Sequence, residues 1–386
     1  MQNKLAIYTG LLKDPAISAL MNNQEKEALG HLILFAEQNG IRGNVWRQYV
    51  CRLMAADDNI FSYTAEMQGG CGSSLMELAN QDIVAILAFV YEHDHILNGY
   101  IPTSPSDESR FSLSVNRIAE AIDKSAKEVL HMLFVHYKNF GRGLAARYMA
   151  LEWKDGLCGI EKFDRIQLDD LIGIESQKEA LITNTERFID RRGANNILVF
   201  GDSGTGKSSC VKALINRYND QGLRLLELKK SQLSELEEVF SKLAKSSYRY
   251  IVFLDDLSFE EGELGYKALK AALEGKASQT PENVLFYATS NRRHLVKETW
   301  ADRVLEREEV HLSDTMHEKL SLSERFGLTV LFVSPGQDEY LGIVEGLCNQ
   351  NNIRFTEEIR TAAVQWALYH SGRSGRTAKQ FVNTLV

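Results

Sequence analysis

Residues 201–208 read Gly-Asp-Ser-Gly-Thr-Gly-Lys-Ser, a spacing of small, cationic and hydroxyl residues that suits phosphate groups. Glycines let backbone N–H groups turn toward phosphate oxygens, Lys207 can reach the β- and γ-phosphates, and the Ser208 hydroxyl can ligate Mg²⁺. An apolar run at 197–200 precedes the motif and a helix-like run at 210–215 follows it. This order of strand, glycine turn and helix predicts a P-loop that binds a nucleotide, and it disfavours the alternative of an incidental glycine-rich turn.

An acidic pair, Asp255 and Asp256, follows the unbroken apolar run at 250–254. Ligands meet an open α/β sheet at the C-terminal ends of its strands, so both carboxylates should arrive beside the phosphates. We expect Asp255 to hold Mg²⁺ through water together with Ser208, and Asp256 to orient or deprotonate the attacking water. The alternative is an acidic pair that only caps a turn.

A polar segment, Thr-Ser-Asn-Arg-Arg at 289–293, follows the apolar run at 284–288. An amide at this strand end would lie between the γ-phosphate and the catalytic carboxylate, where it can hold the attacking water. Asn291 fits that place. If the segment did not follow a predicted strand, its sequence would indicate a loop with solvated charged side chains.

The elements that must position these residues alternate between short apolar runs and helical stretches from about residue 160 onward. Five strands are predicted, at 197–200, 223–228, 250–254, 284–288 and 329–333. Such alternation is typical of a parallel sheet with helices on both faces. We therefore expect an α/β nucleotide-binding core over 159–334 and a small helical appendage over 335–386.

Residues 1–158 are predicted to form an all-helical domain, because their apolar residues recur at three-to-four spacing. One amphipathic stretch covers 115–137. His131 and His136 are five residues apart and do not share a helical face, so a surface or core role is favoured over metal binding.

Composition limits the class of protein. The chain has 386 residues and a net charge of -8, with the acidic excess shared between both halves, whereas a protein that coats nucleic acid would be more basic. The five cysteines form no Cys-x-x-Cys pair, as in reduced cytosolic proteins. No signal-peptide pattern and no run of ~20 apolar residues is present, so we expect a cytoplasmic protein without a membrane span.

In the order of P-loop, acidic strand end, Ala-Thr-Ser-Asn and a later arginine, residues 165–386 resemble the AAA+ ATPases. That resemblance implies an α/β P-loop NTPase fold with a five-stranded parallel sheet and a C-terminal helical lid. It implies that Ile172 and Gly173, within 168–173, pack on the adenine. Arg325, within 321–327, is the implied arginine finger, and Arg376, within 371–378, the implied second sensor, with Arg373 as second choice. The remaining ATP contacts are Asp202, Ser203, Gly204, Thr205, Gly206, Lys207, Ser208 and Ser209.

More narrowly, segments 57–61, 254–259, 290–295 and 319–327 resemble a bacterial AAA+ family with a helical N-terminal region, usually labelled a predicted ATPase of unknown function. Two departures from the AAA+ pattern matter. Asp256 stands where AAA+ proteins usually carry Glu, which can slow turnover because the side chain is one methylene shorter. Residues 229–235 offer no aromatic to grip a polypeptide, which argues mildly against an unfoldase.

These observations predict an ATP-hydrolysing, Mg²⁺-dependent homo-oligomer, assembled head to tail so that Arg325 completes the neighbouring site. It would remodel or load a protein partner bound by the N-terminal helices. One alternative is a slowly hydrolysing switch or scaffold. Another is a loader that contacts nucleic acid through Arg292, Arg293, His294, Lys229 and Lys230, against which the acidic charge speaks. A small-molecule kinase would leave the late arginines unexplained.

Overall fold

The computed structural model describes residues 1, 4–259, 264–274, 280–291, 322–370 and 372–386. They form two compact units. Unit 1 contains Met1–Tyr148 and Lys245–Tyr248, and unit 2 contains Met149–Ala244 and Arg249–Val386. The boundary predicted after residue 158 differs from this division, because Ala150–Trp153 and Leu157–Gly159 are strands of the unit 2 sheet.

Unit 1 is helical throughout the part that the structure describes. A 3₁₀ helix, Thr9–Lys13, precedes α1 Pro15–Met21, α2 Glu25–Asn39, α3 Val45–Ala55, α4 Ile60–Gln68, α5 Ser73–Glu92, α6 Arg110–Ala121, α7 Ala126–Phe140 and α8 Gly143–Arg147. The single stretch predicted over 115–137 is wrong, since α6 ends at Ala121 and α7 starts at Ala126. The Ser125 side chain accepts a hydrogen bond from the Glu128 backbone N–H, a capping contact that starts a new helix.

The core of unit 1 is built around buried aromatic side chains, including Trp46, Phe61 and Tyr137. Asp82 of α5 is buried and accepts hydrogen bonds from the backbone N–H groups of Ala6, Ile7 and Tyr8, which anchors the N-terminal segment on α5. Within the described residues, α5 is long and apolar enough to cross a membrane by length and composition. Its buried positions belong to this core, and core helices of folded proteins meet the same criterion.

A buried ion pair holds the segment Lys245–Tyr248 within unit 1. Arg142, whose side chain is 8% exposed, pairs with Glu66 and with Asp58, at 2.6 Å from Nε to Oδ1. Its Nη2 donates to the Lys245 carbonyl at 2.7 Å. Glu66 also accepts hydrogen bonds from the backbone N–H and the hydroxyl of Ser247, each at 2.7 Å. The buried charges of Arg142 and Glu66 are therefore paired with each other and make further hydrogen bonds, as the burial of charge requires.

Unit 2 contains, in its described part, a seven-stranded sheet of order β2-β1-β4-β5-β6-β3-β7. The strands are β1 Ala150–Trp153, β2 Leu157–Gly159, β3 Ile197–Gly201, β4 Leu223–Glu227, β5 Arg249–Leu254, β6 Val284–Ser290 and β7 Leu328–Phe332. The β1–β2 pair is antiparallel and the other pairs are parallel. The prediction of five strands is wrong. All five predicted strands are present, and β1 and β2, which were assigned to the helical region, extend the sheet beside β4.

The helices of unit 2 connect and follow these strands. They are α9 Glu175–Ile189, α10 Lys207–Tyr218, α11 Leu236–Leu243, α12 Leu264–Glu274, α13 Gln337–Gln350, α14 Glu357–Tyr369 and α15 Gly375–Val382, with 3₁₀ helices at Leu168–Asp170, Asn219–Gln221 and Lys230–Glu235. We call α13–α15 the lid. The lid has its own hydrophobic cluster, which includes Tyr340, Val344 and Phe381.

Candidate nucleotide-binding site

The P-loop connects β3 to α10 through glycines in conformations that other residues rarely adopt. Gly201, Gly204 and Gly206 have φ of 132°, 78° and 98°. A Cβ at Gly201 would lie 1.8 Å from the Phe332 carbonyl oxygen, so this position has no room for a side chain. The backbone reverses here and α10 begins at Lys207. The N–H groups of its first turn therefore form an anion-binding end.

Lys207 is held at the mouth of this loop and is 7% exposed. Its Nζ donates to the carbonyls of Gly201 and Asp202 at 2.8 and 2.6 Å, and to Asn291 Oδ1 at 2.9 Å. Burial lowers the pKa of Lys207, and the nearby carboxylate of Asp202 opposes that change. The ammonium is thus fixed where it can meet a phosphate.

Asp255 lies beside the P-loop hydroxyl, and its role in a metal site stays a prediction. Ser208 Oγ donates to Asp255 Oδ1 at 2.6 Å, and Thr289 Oγ1 donates to the same oxygen at 2.5 Å. Hydroxyl and carboxylate oxygens are hard ligands that suit Mg²⁺. Among the described residues no group of three or more His, Cys, Asp or Glu side chains could hold a metal.

Asn291 bridges the cation and the second carboxylate. Its Nδ2 donates to Asp256 Oδ1 at 2.9 Å, while its Oδ1 accepts from Lys207. Asp256 itself has a left-handed backbone, with φ of 51°. Lys207, Asn291 and Asp256 therefore form one continuous hydrogen-bonded line at the C-terminal ends of the inner strands β3, β6 and β5.

A cavity of about 810 Å³ joins these groups to an apolar end. The predicted residues that line it are Ile172, Ser203, Gly204, Thr205, Gly206, Lys207, Ser208, Ser209, Asp255, Asp256, Asn291 and Arg376. Its apolar end includes Leu171, Ile174, Ile343 and Leu347. A phosphate-binding end and an apolar end suit a nucleotide.

Two predicted contacts lie just behind the lining. Gly173 has φ of 80°, and a Cβ there would lie 3.1 Å from Ile343 Cγ1 of the lid. The Asp202 carboxylate accepts from the Ser334 backbone N–H at 2.8 Å. Hydrogen bonding from the Ser334 side chain and then from its backbone lowers the pKa of Asp202. Both residues therefore support the cavity wall, and neither lines the cavity.

The lid contacts the P-loop directly. The backbone N–H of Arg376 donates to the Gly204 carbonyl at 3.1 Å, and a Cβ at Gly204 would lie 3.0 Å from Ser374 Oγ. Arg376 lines the cavity, and the second choice, Arg373, does not. Lys379, one turn further along α15, also lines it. The geometry thus favours Arg376 over Arg373 as the lid cation.

Arg325 is a further predicted site residue that does not line the cavity. Its Nε lies 2.5 Å from Glu274 Oε1 of the same chain, at the end of α12. Its role as an arginine finger stays a prediction. Arg292, Arg293 and His294 lie outside the described residues.

Sequence reasoning missed Thr289 and the lid residue Lys379. A signal for Thr289 was its place in the polar segment that follows the apolar run, two residues before Asn291.

Comparisons with known proteins show what this chain is similar to. Residues 144–386 match the family described as "Protein of unknown function (DUF815)". The Synechocystis sp. (strain ATCC 27184 / PCC 6803 / Kazusa) protein "Chaperone protein ClpB 2" is 22% identical over 276 residues, which is 65% of this chain and 31% of that relative. A solved structure of a mutant RuvB from Thermotoga maritima shares 14% identity with a TM-score of 0.40, over 56% of this chain and 63% of that one.

The chain therefore spans about a third of the ClpB relative's length, 31%, and less than two thirds of the RuvB chain. The family match covers more than half of the 386 residues and includes the P-loop, the acidic pair and the lid. The chain therefore belongs to the DUF815 family.

Proposed function

We propose that this protein binds Mg-ATP in the cavity of unit 2 and hydrolyses the bond between its β- and γ-phosphates. The observation that supports this most directly is the hydrogen-bonded line from Lys207 through Asn291 to Asp256. It lies beside the Ser208 and Asp255 pair. A cation for phosphate, an oxygen pair for a metal and a carboxylate for water are the groups that phosphoryl transfer needs.

Each of these residues has a role in the proposed reaction. Lys207 and the N–H groups at the start of α10 stabilise negative charge on the phosphates. Asp256 accepts a hydrogen bond from the attacking water and Asn291 holds that water in place. Ser208 and Asp255 would hold Mg²⁺, which neutralises charge on the phosphate oxygens. Arg376 adds a second cation from the lid.

We further propose that ATP turnover serves a homo-oligomer that remodels or loads a protein partner in the cytoplasm. The AAA+ resemblance and the chaperone title of the ClpB 2 relative support this proposal. Unit 1, a helical unit outside the nucleotide site, is the proposed partner-binding unit. The five cysteines form no Cys-x-x-Cys pair, which favours a reducing compartment.

A slowly hydrolysing switch is the second candidate, and Asp256 is the residue that favours it. Its carboxylate is one methylene shorter than the Glu usual in AAA+ proteins, and misplacement by ~1 Å can cost on the order of 100-fold in rate. Turnover well under one per minute, with tight ATP binding, would decide for the switch.

Calorimetry of ATP binding and a phosphate-release assay test the proposed function. Lys207→Ala should abolish binding, whereas Lys212→Ala, which removes a charge from the same helix outside the cavity lining, should bind like wild type. Asp255→Ala should weaken the Mg²⁺-dependent part of binding. Asp256→Asn should bind ATP and lose hydrolysis. Unchanged affinity in Lys207→Ala would overturn the assignment.

A further inference from the structure

We propose that Thr289 is a positioning residue that fixes the turn carrying Asp255 and Asp256, and thereby sets the hydrolysis rate. This inference rests on the proposed function, because it assigns Asp256 the role of aligning water. Thr289 lies in β6, is 2% exposed, and is separated from both aspartates along the sequence.

Thr289 contacts each residue of the turn. Its hydroxyl donates to Asp255 Oδ1 at 2.5 Å and accepts from the Asp256 backbone N–H at 2.9 Å. Its carbonyl accepts from the Leu257 backbone N–H at 2.7 Å. The hydroxyl thus donates its single proton to the Asp255 carboxylate and accepts a hydrogen bond from the Asp256 backbone N–H. Val and Ala have no hydroxyl and can make neither hydrogen bond.

The turn needs such a restraint because Asp256 has φ of 51°. Residues other than glycine rarely adopt this conformation, and it persists where the surrounding structure holds it. The hydrogen bond to the Asp256 N–H acts on the strained residue itself. Losing it would free the backbone to relax and would change the direction of the carboxylate.

The sheet register explains why one strand controls both carboxylates. In the parallel pair β5–β6, Leu254 lies opposite Ala288, so the chain leaves β5 just where Thr289 follows in β6. Asn291 follows directly after β6, which ends at Ser290. Thr289 therefore holds the backbone of Asp256, and Asn291 holds its side chain.

The experiment compares three variants of the full chain. Thr289→Val keeps the shape and removes the hydroxyl, and Thr289→Ser keeps the hydroxyl. Thr185→Val is the matched control, because Thr185 is also buried in unit 2 and its hydroxyl bonds to Tyr287 of β6, away from the turn. Each variant is measured for kcat, for KM, for the Kd of β,γ-imido-ATP with Mg²⁺, and for hydrogen exchange of the Asp256 amide.

Thr289→Val should lower kcat roughly 10- to 100-fold while KM and Kd stay within about threefold, because alignment is lost and phosphate binding is kept. Its Asp256 amide should exchange at least about tenfold faster, since its hydrogen-bond acceptor is gone. Thr289→Ser keeps the hydroxyl, so its kcat and the exchange rate of its Asp256 amide should stay near wild type. Thr185→Val should also leave these two quantities near wild type.

Wild-type kcat and wild-type amide exchange in Thr289→Val would overturn the inference and leave the proposed function standing. Equal losses in Thr289→Val and Thr185→Val would also overturn it, because they would show only a general loss of stability. If wild type shows no turnover, the proposed function fails. Faster amide exchange confined to Thr289→Val would then still support the restraint on the turn.

Discussion

Asp256 is the proposed catalytic carboxylate, and its backbone conformation restricts which residue types fit at this position. Among residues other than glycine, Asn and Asp are enriched at positive φ, whereas Glu is not. The φ of 51° therefore gives a physical reason for the departure from the Asp-Glu pair usual in AAA+ proteins. In this turn the shorter carboxylate suits the backbone.

Replacing Asp256 with Glu tests that reason. Although Asp256→Glu restores the usual AAA+ residue, we expect kcat to fall or stay unchanged. We expect the free energy of unfolding to fall by about 0.5–1 kcal/mol, because Glu tolerates the left-handed region less well. Thermal unfolding and a phosphate-release assay measure both, with Asp256→Asn as the backbone-neutral control. A faster Asp256→Glu enzyme with wild-type stability would contradict this explanation.

His136 of unit 1 provides a pH prediction. Burial lowers its pKa to about 4, and its Nδ1 lies 2.8 Å from Ser114 Oγ. A solvated imidazole titrates near 6.5, so the His136 ring signal in NMR spectra should stay constant from pH 8 to about 5. His136→Gln identifies the signal. A midpoint near 6.5 would contradict the prediction.

The same shift has a defined sign for stability. Below pH 6.5 the unfolded chain binds a proton that native His136 does not, so this contribution to stability is lost as pH falls toward 4, by about 1.4 kcal/mol at pH 5.5. Burial raises the pKa of Asp57 to about 6, which acts oppositely and adds stability at low pH. The two contributions oppose each other between pH 4 and 6.

At the scale of residues, the sequence indicates the groups that approach phosphate, because their spacing is local and their chemistry is specific. Lys207, Ser208, Asp255 and Asn291 lie together as that spacing implies. Contacts across the chain are harder to predict. Arg325 pairs with Glu274, and no periodicity in the sequence points to that pair.

At the scale of elements, long apolar runs between helical stretches identify the inner strands. Strands β3, β5 and β6 are buried on both faces, so their sequences are almost continuously apolar. Strand β1 has four residues and follows a helical pattern without a break. Such a short strand is recognised by its pairing with β4, which the sequence does not display.

Two fragments of unit 2 should therefore behave differently. We expect 149–386 to fold and bind ATP, and 159–386 to aggregate, because the shorter fragment lacks β1 and leaves β4 as an open edge. It also lacks Trp153, which is 1% exposed, and losing a buried Trp costs about 3–5 kcal/mol. Light scattering and calorimetry compare the two. Equal solubility and ATP affinity would show that β1 is dispensable.

At the scale of the whole molecule, Arg325 distinguishes a ring from an isolated chain. If it completes a neighbouring site, Arg325→Ala should bind ATP normally and lose on the order of 10³ in turnover. Mixing it with Lys207→Ala should then restore part of the activity, since an intact pocket would meet an intact arginine.

Glu274→Gln is the matched control for that experiment. If Arg325 serves only the ion pair with Glu274, the two variants should lose the same activity. A ring predicts turnover near wild type in Glu274→Gln. No recovery in a mixture that co-assembles would remove the main support for the ring and favour the switch.

The assignment of Lys245–Tyr248 to unit 1 bears on the modularity of this protein. These residues lie between α11 and β5 of unit 2 in the sequence, yet their partners include Glu66 and Arg142. A gene fusion that simply joined a helical module to an ATPase would leave a single junction. In the described chain, exchange of the helical unit for another would also require four new residues inside the sequence of unit 2. The two units are therefore expected to be inherited, and to diverge, together.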